Sequence, residues 1–181
     1  DIIYTLASRN KALGKDMSDC VVGTIMTNQG IGEALAEIDV GLLRSNVGDK
    51  YVSRELVKEN LNVGGETSGH VIQREFSESG DANIALIQTL TAFSDLDATM
   101  NEIQKKINYW PHKLQSYSFK NEAFRSSNEF NQKIDDLQKS NTDARISVRK
   151  SGTEAKLRVM VESRDKPKVD SLFAEIENII S

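Results

Sequence analysis

The chain has 181 residues, 38% hydrophobic and 28% charged, with 27 acidic against 23 basic side chains and a formal net charge of −4. That is ordinary for a soluble globular protein, long enough for one large or two small domains, and it lacks the basic balance of a broad nucleic-acid binder, although a few arginines in a pocket can still hold an anion locally. A single cysteine, Cys20, excludes a disulfide within the chain and points to a reducing cytoplasm, and no apolar run approaches the ~18 residues of a membrane span.

No signal-peptide pattern opens the chain. It starts at Asp1, without Met, directly into Ile2-Ile3-Tyr4-Thr5-Leu6-Ala7. Apolar residues at helical spacing predict a helix over 2–9 that reads as entered midway, so a piece of a longer protein is expected. Val21–Met26 reads as a buried strand, Asn28-Gln29-Gly30 as a turn, and Ile31–Ile38 as a helix. Val40–Arg44 is a second short strand. Gly48–Asn60, with interleaved charges, is a helix. Leu61–Gly65 is a third strand that breaks at two glycines, and His70–Ile72 a fourth. Asp81 is placed to cap an apolar helix over Ala82–Phe93. A further helix follows at about 96–107.

Asn108-Tyr109-Trp110-Pro111 holds the only Trp and one of two prolines, and the pattern changes there. A strand at 112–119 leads to a polar helix at about 122–139, then two strands around a turn at 149–156. A last helix runs over Lys166–Ile180, with Pro167 in its first turn. The expected fold is a layered α/β domain with a mostly parallel sheet (1–108), followed by a small α+β domain (109–181).

The most informative stretch is Arg149-Lys150-Ser151-Gly152-Thr153-Glu154-Ala155-Lys156-Leu157-Arg158. Two guanidiniums offer rigid forks that match phosphate oxygens, Ser151 and Thr153 add hydroxyl donors, and Gly152 lets backbone N–H groups come close to an anion. Each part suits a phosphate monoester. The competing reading is a solvated polar turn between strands.

The second informative stretch is Gly64-Gly65-Glu66-Thr67-Ser68-Gly69-His70. Glu66 and Ser68 are two apart, so an extended loop turns both to one side, where a carboxylate and a hydroxyl suit sugar hydroxyls. His70 can donate to a phosphate or titrate near neutral pH. The competing reading is a loop whose Glu66 and Ser68 bond their own backbone. The glycines of 23–32 lack the spacing of a P-loop or a dinucleotide fingerprint and read as a structural turn. Metal ligation has little support, because His70, His112 and Cys20 are scattered. A Ser68–His70–Asp81 triad lacks a nucleophile-elbow motif.

On these two loops the chain resembles the C-terminal half of an α-D-phosphohexomutase. Arg149 to Glu154 resembles the family's phosphate loop in its fourth domain, and Gly64 to His70 its sugar-recognition loop in the third. Val47-Gly48-Asp49-Lys50-Tyr51-Val52 and Gly80-Asp81 fall in the expected order, and within the family these motifs are most similar to phosphoglucosamine mutases. Two departures stand out: Ala155 replaces the usual Pro, and Asn46 a frequent Lys. The family's phosphorylated serine and its Mg²⁺-binding aspartates belong to earlier domains and are not in this sequence.

The resemblance implies an isomerase that shifts a phosphoryl group between positions 6 and 1 of a hexosamine phosphate, in amino-sugar nucleotide and cell-wall precursor synthesis. It implies phosphate contacts at Arg149, Ser151, Gly152 and Thr153, with Arg158 in support, and sugar contacts at Glu66, Ser68 and His70. Mg²⁺ would serve the parent enzyme through ligands outside this chain. The chain alone is expected to bind and not to catalyse. A phosphoglucomutase or phosphomannomutase fragment and a stand-alone sugar-phosphate module are the competing readings. The partner expected is a small-molecule hexosamine phosphate, not a nucleic acid or a membrane, in the cytoplasm; a homo-oligomer is left open.

Overall fold

A computed structural model describes residues 1–15, 19–118, 127–151 and 156–180. Two compact units divide the chain, Asp1–Tyr109 and Trp110–Ser181.

In the first unit the order is α1 (Ile2–Ala12), β1 (Cys20–Thr24), α2 (Gln29–Ala36), β2 (Gly41–Ser45), α3 (Asp49–Lys58), β3 (Val63–Gly65), β4 (Val71–Gln73), α4 (Ala82–Asp95) and α5 (Met100–Lys105). The sheet runs β2-β1-β3-β4, with β1 parallel to β2 and β3, and β4 antiparallel to β3. Alternation along the strands sends side chains to two cores. Val21, Val63 and Val71 join Leu6, Leu35, Ala92 and Ile103 from α1, α2, α4 and α5 on one face. Val22 and Ile72 join Val52 and Leu56 of α3 on the other. Helices therefore cover both faces, as parallel pairing requires.

The sequence expectations hold with local shifts. Asn28 is not part of a free turn: its side chain accepts from Gly30 N–H at 2.9 Å and starts α2 at Gln29. The helix expected at 96–107 is shorter, because Asp97 takes a left-handed φ of 46° and Thr99 opens α5 through a capping box with Glu102. Gly64 and Gly65 are the last two residues of β3, which ends there as expected, and both still pair with β4. An added Cβ would come within 2.7 Å of Val52 Cγ1 at Gly64 and 2.8 Å of Ile3 Cγ2 at Gly65, so the pair lets α3 and α1 press on opposite faces of the strand.

The second unit comprises β5 (His112–Ser118), α6 (Asn128–Ser140), β6 (Ala144–Lys150), β7 (Lys156–Ser163) and α7 (Lys166–Ile180). Its sheet is antiparallel in the order β5-β7-β6. Leu157, Val159 and Val161 of the central strand pack with Phe130 and Leu137 of α6 and Leu172, Phe173 and Ile176 of α7. Residues 158, 160 and 162 take the opposite face, where Arg145 pairs with the buried Glu162 directly across the ladder. The helix expected from 122 begins at Asn128 with Ser127 as its cap, its earlier part lying outside the described residues.

Candidate functional site

Both informative loops turn out to be hairpin connections. In the first unit, β3 and β4 pair antiparallel up to Gly65 and Val71, and Glu66 N–H donates to His70 O at 2.9 Å. Gly69 N–H donates to Glu66 O at 3.1 Å, and Gly69 adopts φ 97°, a conformation costly for other residues. The turn gathers Glu66, Ser68 and His70. Ser68 Oγ donates to Glu66 Oε2 at 2.9 Å and lies 3.1 Å from His70 Nδ1. The other carboxylate oxygen, Oε1, accepts from Gly48 N–H, the residue that opens α3.

Hydrogen-bond counting fixes the imidazole. A hydroxyl has one hydrogen, and that of Ser68 goes to Glu66; the contact with His70 must then use a hydrogen on Nδ1. Neutral His70 consequently keeps its lone pair on Nε2. The same counting removes the Ser68–His70–Asp81 triad, since His70 supplies a hydrogen to Ser68 and cannot act there as its base. Asp81 instead caps α4: its Oδ1 accepts from Asn83 N–H at 2.8 Å and Ile84 N–H at 3.0 Å.

The sequence reading had Glu66 and Ser68 either facing a sugar or bonding their own backbone. Both are engaged, chiefly with each other and with Gly48, a residue 18 positions earlier that no local pattern links to them. A cavity of about 340 Å³ opens beside the loop, lined by Ser68, His70, Val71, Asp81, Ala82 and Ala85 among others. Asp81, which the sequence offered as a helix cap and as a member of the rejected triad, lines this cavity.

In the second unit, Ser151 N–H donates to Lys156 O at 2.8 Å and closes the β6–β7 hairpin. Register sets Arg149 directly opposite Arg158, with Ser116 of β5 next in the row. Residues facing each other in an antiparallel pair have Cβ atoms about 5 Å apart, so two guanidiniums share one face at the mouth of the turn. Ser151 Oγ is buried and has no hydrogen-bond partner among the described residues. Gly152 and Thr153 lie outside the described residues.

No group of three or more His, Cys, Asp or Glu among the described residues could hold a metal ion. No helix among them is long and apolar enough to cross a membrane.

Comparison with known proteins decides the family. Residues 1–109 match the model of the phosphoglucomutase/phosphomannomutase alpha/beta/alpha domain III, and residues 94–179 that of the phosphoglucomutase/phosphomannomutase C-terminal domain. The chain belongs to the phosphoglucomutase/phosphomannomutase family. Family members named phosphoglucosamine mutase from a Nitratiruptor species and from Hahella chejuensis are each 34% identical to it, over 97% and 99% of this chain but 39% and 41% of their own. The chain thus spans about two fifths of the length of these relatives.

Solved family structures share the fold. The N-acetylphosphoglucosamine mutase of Aspergillus fumigatus, determined with GlcNAc-6P and magnesium, superposes with a TM-score of 0.81 at 19% identity, over 99% of this chain and 46% of that one. An N-acetylglucosamine-phosphate mutase of the α-D-phosphohexomutase superfamily, in its substrate complex, gives 0.79 at 20%, over 99% and 43%.

Proposed function

We propose that this chain is the sugar- and phosphate-holding part of a phosphoglucosamine mutase, a cytoplasmic isomerase that interconverts glucosamine 6-phosphate and glucosamine 1-phosphate. The observation that carries the reading is the pairing of Arg149 with Arg158 across the hairpin that Ser151 closes. Two guanidinium forks on one face match the oxygens of a dianionic phosphate, and Ser151 Oγ is a donor still to be satisfied.

The reaction imposes two tasks on these residues. The phosphate that is not being transferred must be held whether it sits on carbon 6 or carbon 1; Arg149, Ser151 and Arg158 do this, joined by Gly152 and Thr153. The sugar must be held in both orientations by groups indifferent to which way it lies. Glu66 accepts from ring hydroxyls, and Ser68 exchanges its bond to Glu66 for one to the sugar. His70 stands behind Ser68 and keeps its hydroxyl supplied with a donor. Phosphoryl transfer itself calls for a phosphoserine and for Mg²⁺ to neutralise the transferring charge. The described residues offer no cluster for the ion, and both requirements fall to the rest of the parent enzyme.

Two experiments test this. Titration of the 15N-labelled chain with glucosamine 6-phosphate shifts the amides around Ser151 and Glu66, and Arg149→Ala abolishes the first set. Shifts confined to other regions would sink the assignment. An assay of the isolated chain, free of host enzyme, gives no turnover; clear turnover would refute the division of labour.

A further inference from the structure

We infer that the outward face of α4 is an interdomain contact, covered in the parent enzyme by an apolar, uncharged surface of one of its earlier domains. This goes beyond the sugar-phosphate reading and rests only on its premise that the chain is part of a longer mutase.

The inward face of α4 is accounted for. Thr89 and Ala92 are buried, and Ala85 and Phe93 pack on the first core beside α1, where Arg9 donates to Asp95 and Gln88. The outward face carries Leu86, Ile87 and Leu90, which are 59%, 59% and 58% exposed. Helical spacing puts these three on one side with Asn83 and Ser94, both also exposed. No Lys, Arg, Asp or Glu occurs from Ala82 to Ser94. The solvated faces of other long helices are built otherwise, with exposed Lys50 and Arg54 on α3, Lys133 and Asp136 on α6, and Asp170 and Glu175 on α7. One exposed leucine is ordinary, but three large apolar side chains in a stripe without a charge among them mark a contact surface.

The premise also says what covers the stripe. The chain spans about two fifths of the length of its relatives, and its first unit matches the family's domain III, so earlier domains make up most of the parent's remaining length. Their chain enters at Asp1, in the same helix layer: α1 packs beside α4, and Asp1 Oδ2 accepts from Gln104 Nε2 of α5 at 3.3 Å. A domain tethered at Asp1 meets α4 at high effective concentration. The stripe offers no charge for a charged surface to pair with, so its complement is apolar.

The test is thiol labelling at residue 90. Leu90→Cys is combined with Cys20→Ser in the 181-residue chain and in the parent enzyme, a thermal melt verifies that each is folded, and peptide mass spectrometry follows alkylation at residue 90. The isolated chain sediments as a monomer and labels as an exposed thiol does, whereas the parent labels at least about tenfold more slowly. Leu86→Lys gives a second readout: it leaves the melt of the isolated chain within about 2 °C of native and lowers that of the parent by at least about 5 °C. Equal labelling rates in the two proteins, or equal effects of Leu86→Lys, would overturn the inference. So would a chain that dimerises and protects residue 90 by itself, which would give the face to a second copy. Turnover of glucosamine 6-phosphate by the parent tests the mutase reading separately; its absence would refute that reading, while the labelling contrast reports on α4 whichever reaction is catalysed.

Discussion

Removing the Glu66 carboxylate exposes how the sugar loop is held. In Glu66→Ala two donors lose their acceptor, the Gly48 N–H at the start of α3 and the Ser68 hydroxyl. The first bond ties the loop to the residue that precedes α3: Gly48 has φ 130°, and its carbonyl accepts from Tyr51 and Val52 N–H. Loss of this part-buried hydrogen bond costs about 1 kcal/mol. Ser68 is exposed and finds water, so its bond adds only about 0.5 kcal/mol. The sum, about 1.5 kcal/mol, lowers the melting temperature of a unit this size by roughly 6 °C. Glu66→Gln keeps one acceptor oxygen and loses about half as much. Urea unfolding gives the free energies, and hydrogen exchange at the Gly48 amide locates the effect. A Glu66→Ala chain within about 0.3 kcal/mol of native, a Gly48 amide that exchanges no faster, or a Gln variant as costly as Ala would each refute this role for the carboxylate.

Gly30→Ala destabilises the first unit by at least about 3 kcal/mol, because the new Cβ would stand 2.1 Å from the Asn108 backbone oxygen, and backbone cannot be repacked as a side chain can; a melt within about 2 °C of native would contradict the close approach. Burial, and then the Glu177 carboxylate that accepts from its hydroxyl at 2.6 Å, hold the Tyr117 phenol above its ordinary range. The folded state retains that proton more tightly than the unfolded chain, so the contribution is complete below about pH 10 and declines as pH rises beyond it. Tyr117→Phe flattens this alkaline limb in urea midpoints measured between about pH 8 and 11, and an unchanged slope would contradict the linkage. In the parent enzyme, Arg149→Ala and Arg158→Ala each lower kcat/KM by at least about tenfold and weaken inhibition by inorganic phosphate; loss of activity with undiminished phosphate inhibition would locate the phosphate elsewhere.

Much of the architecture could be read from periodicity. The elements of the first unit were expected in order, because buried strands such as Val21-Val22 and cap signals such as Asp81 are local patterns. Where expectation and structure part, the cause is an interaction between distant residues. Gly64-Gly65 reads as a strand end, which it is, but only the approach of Ile3 and Val52 from opposite faces explains why the paired strand has no side chains there. The site divides the same way. Glu66, Ser68 and His70 could be grouped from spacing, but the bond from Gly48 and the resulting hydrogen on His70 Nδ1 depend on how α3 packs beside β3. Arg149 and Arg158 stand nine positions apart in sequence. That they face each other follows from the register of a hairpin, which a turn sequence suggests but does not number.

The two loops share a construction that suits what is proposed for them. Each joins neighbouring antiparallel strands and is closed by a main-chain bond at its base, Glu66 N–H to His70 O in one and Ser151 N–H to Lys156 O in the other. In the first loop, pinning both ends to a sheet removes conformational freedom a ligand would otherwise have to quench, so more of each contact appears as affinity. The side chains are prepared differently. Glu66, Ser68 and His70 satisfy one another before any ligand arrives, so a sugar must exchange hydrogen bonds with them, and its orientation can be exchanged at similar cost. Arg149 and Arg158 are set side by side across the ladder, so two guanidinium forks serve one anion. A loop that trades bonds and a loop that grips charge suit the proposed reaction, in which the sugar turns over and its two phosphates exchange places in the grip.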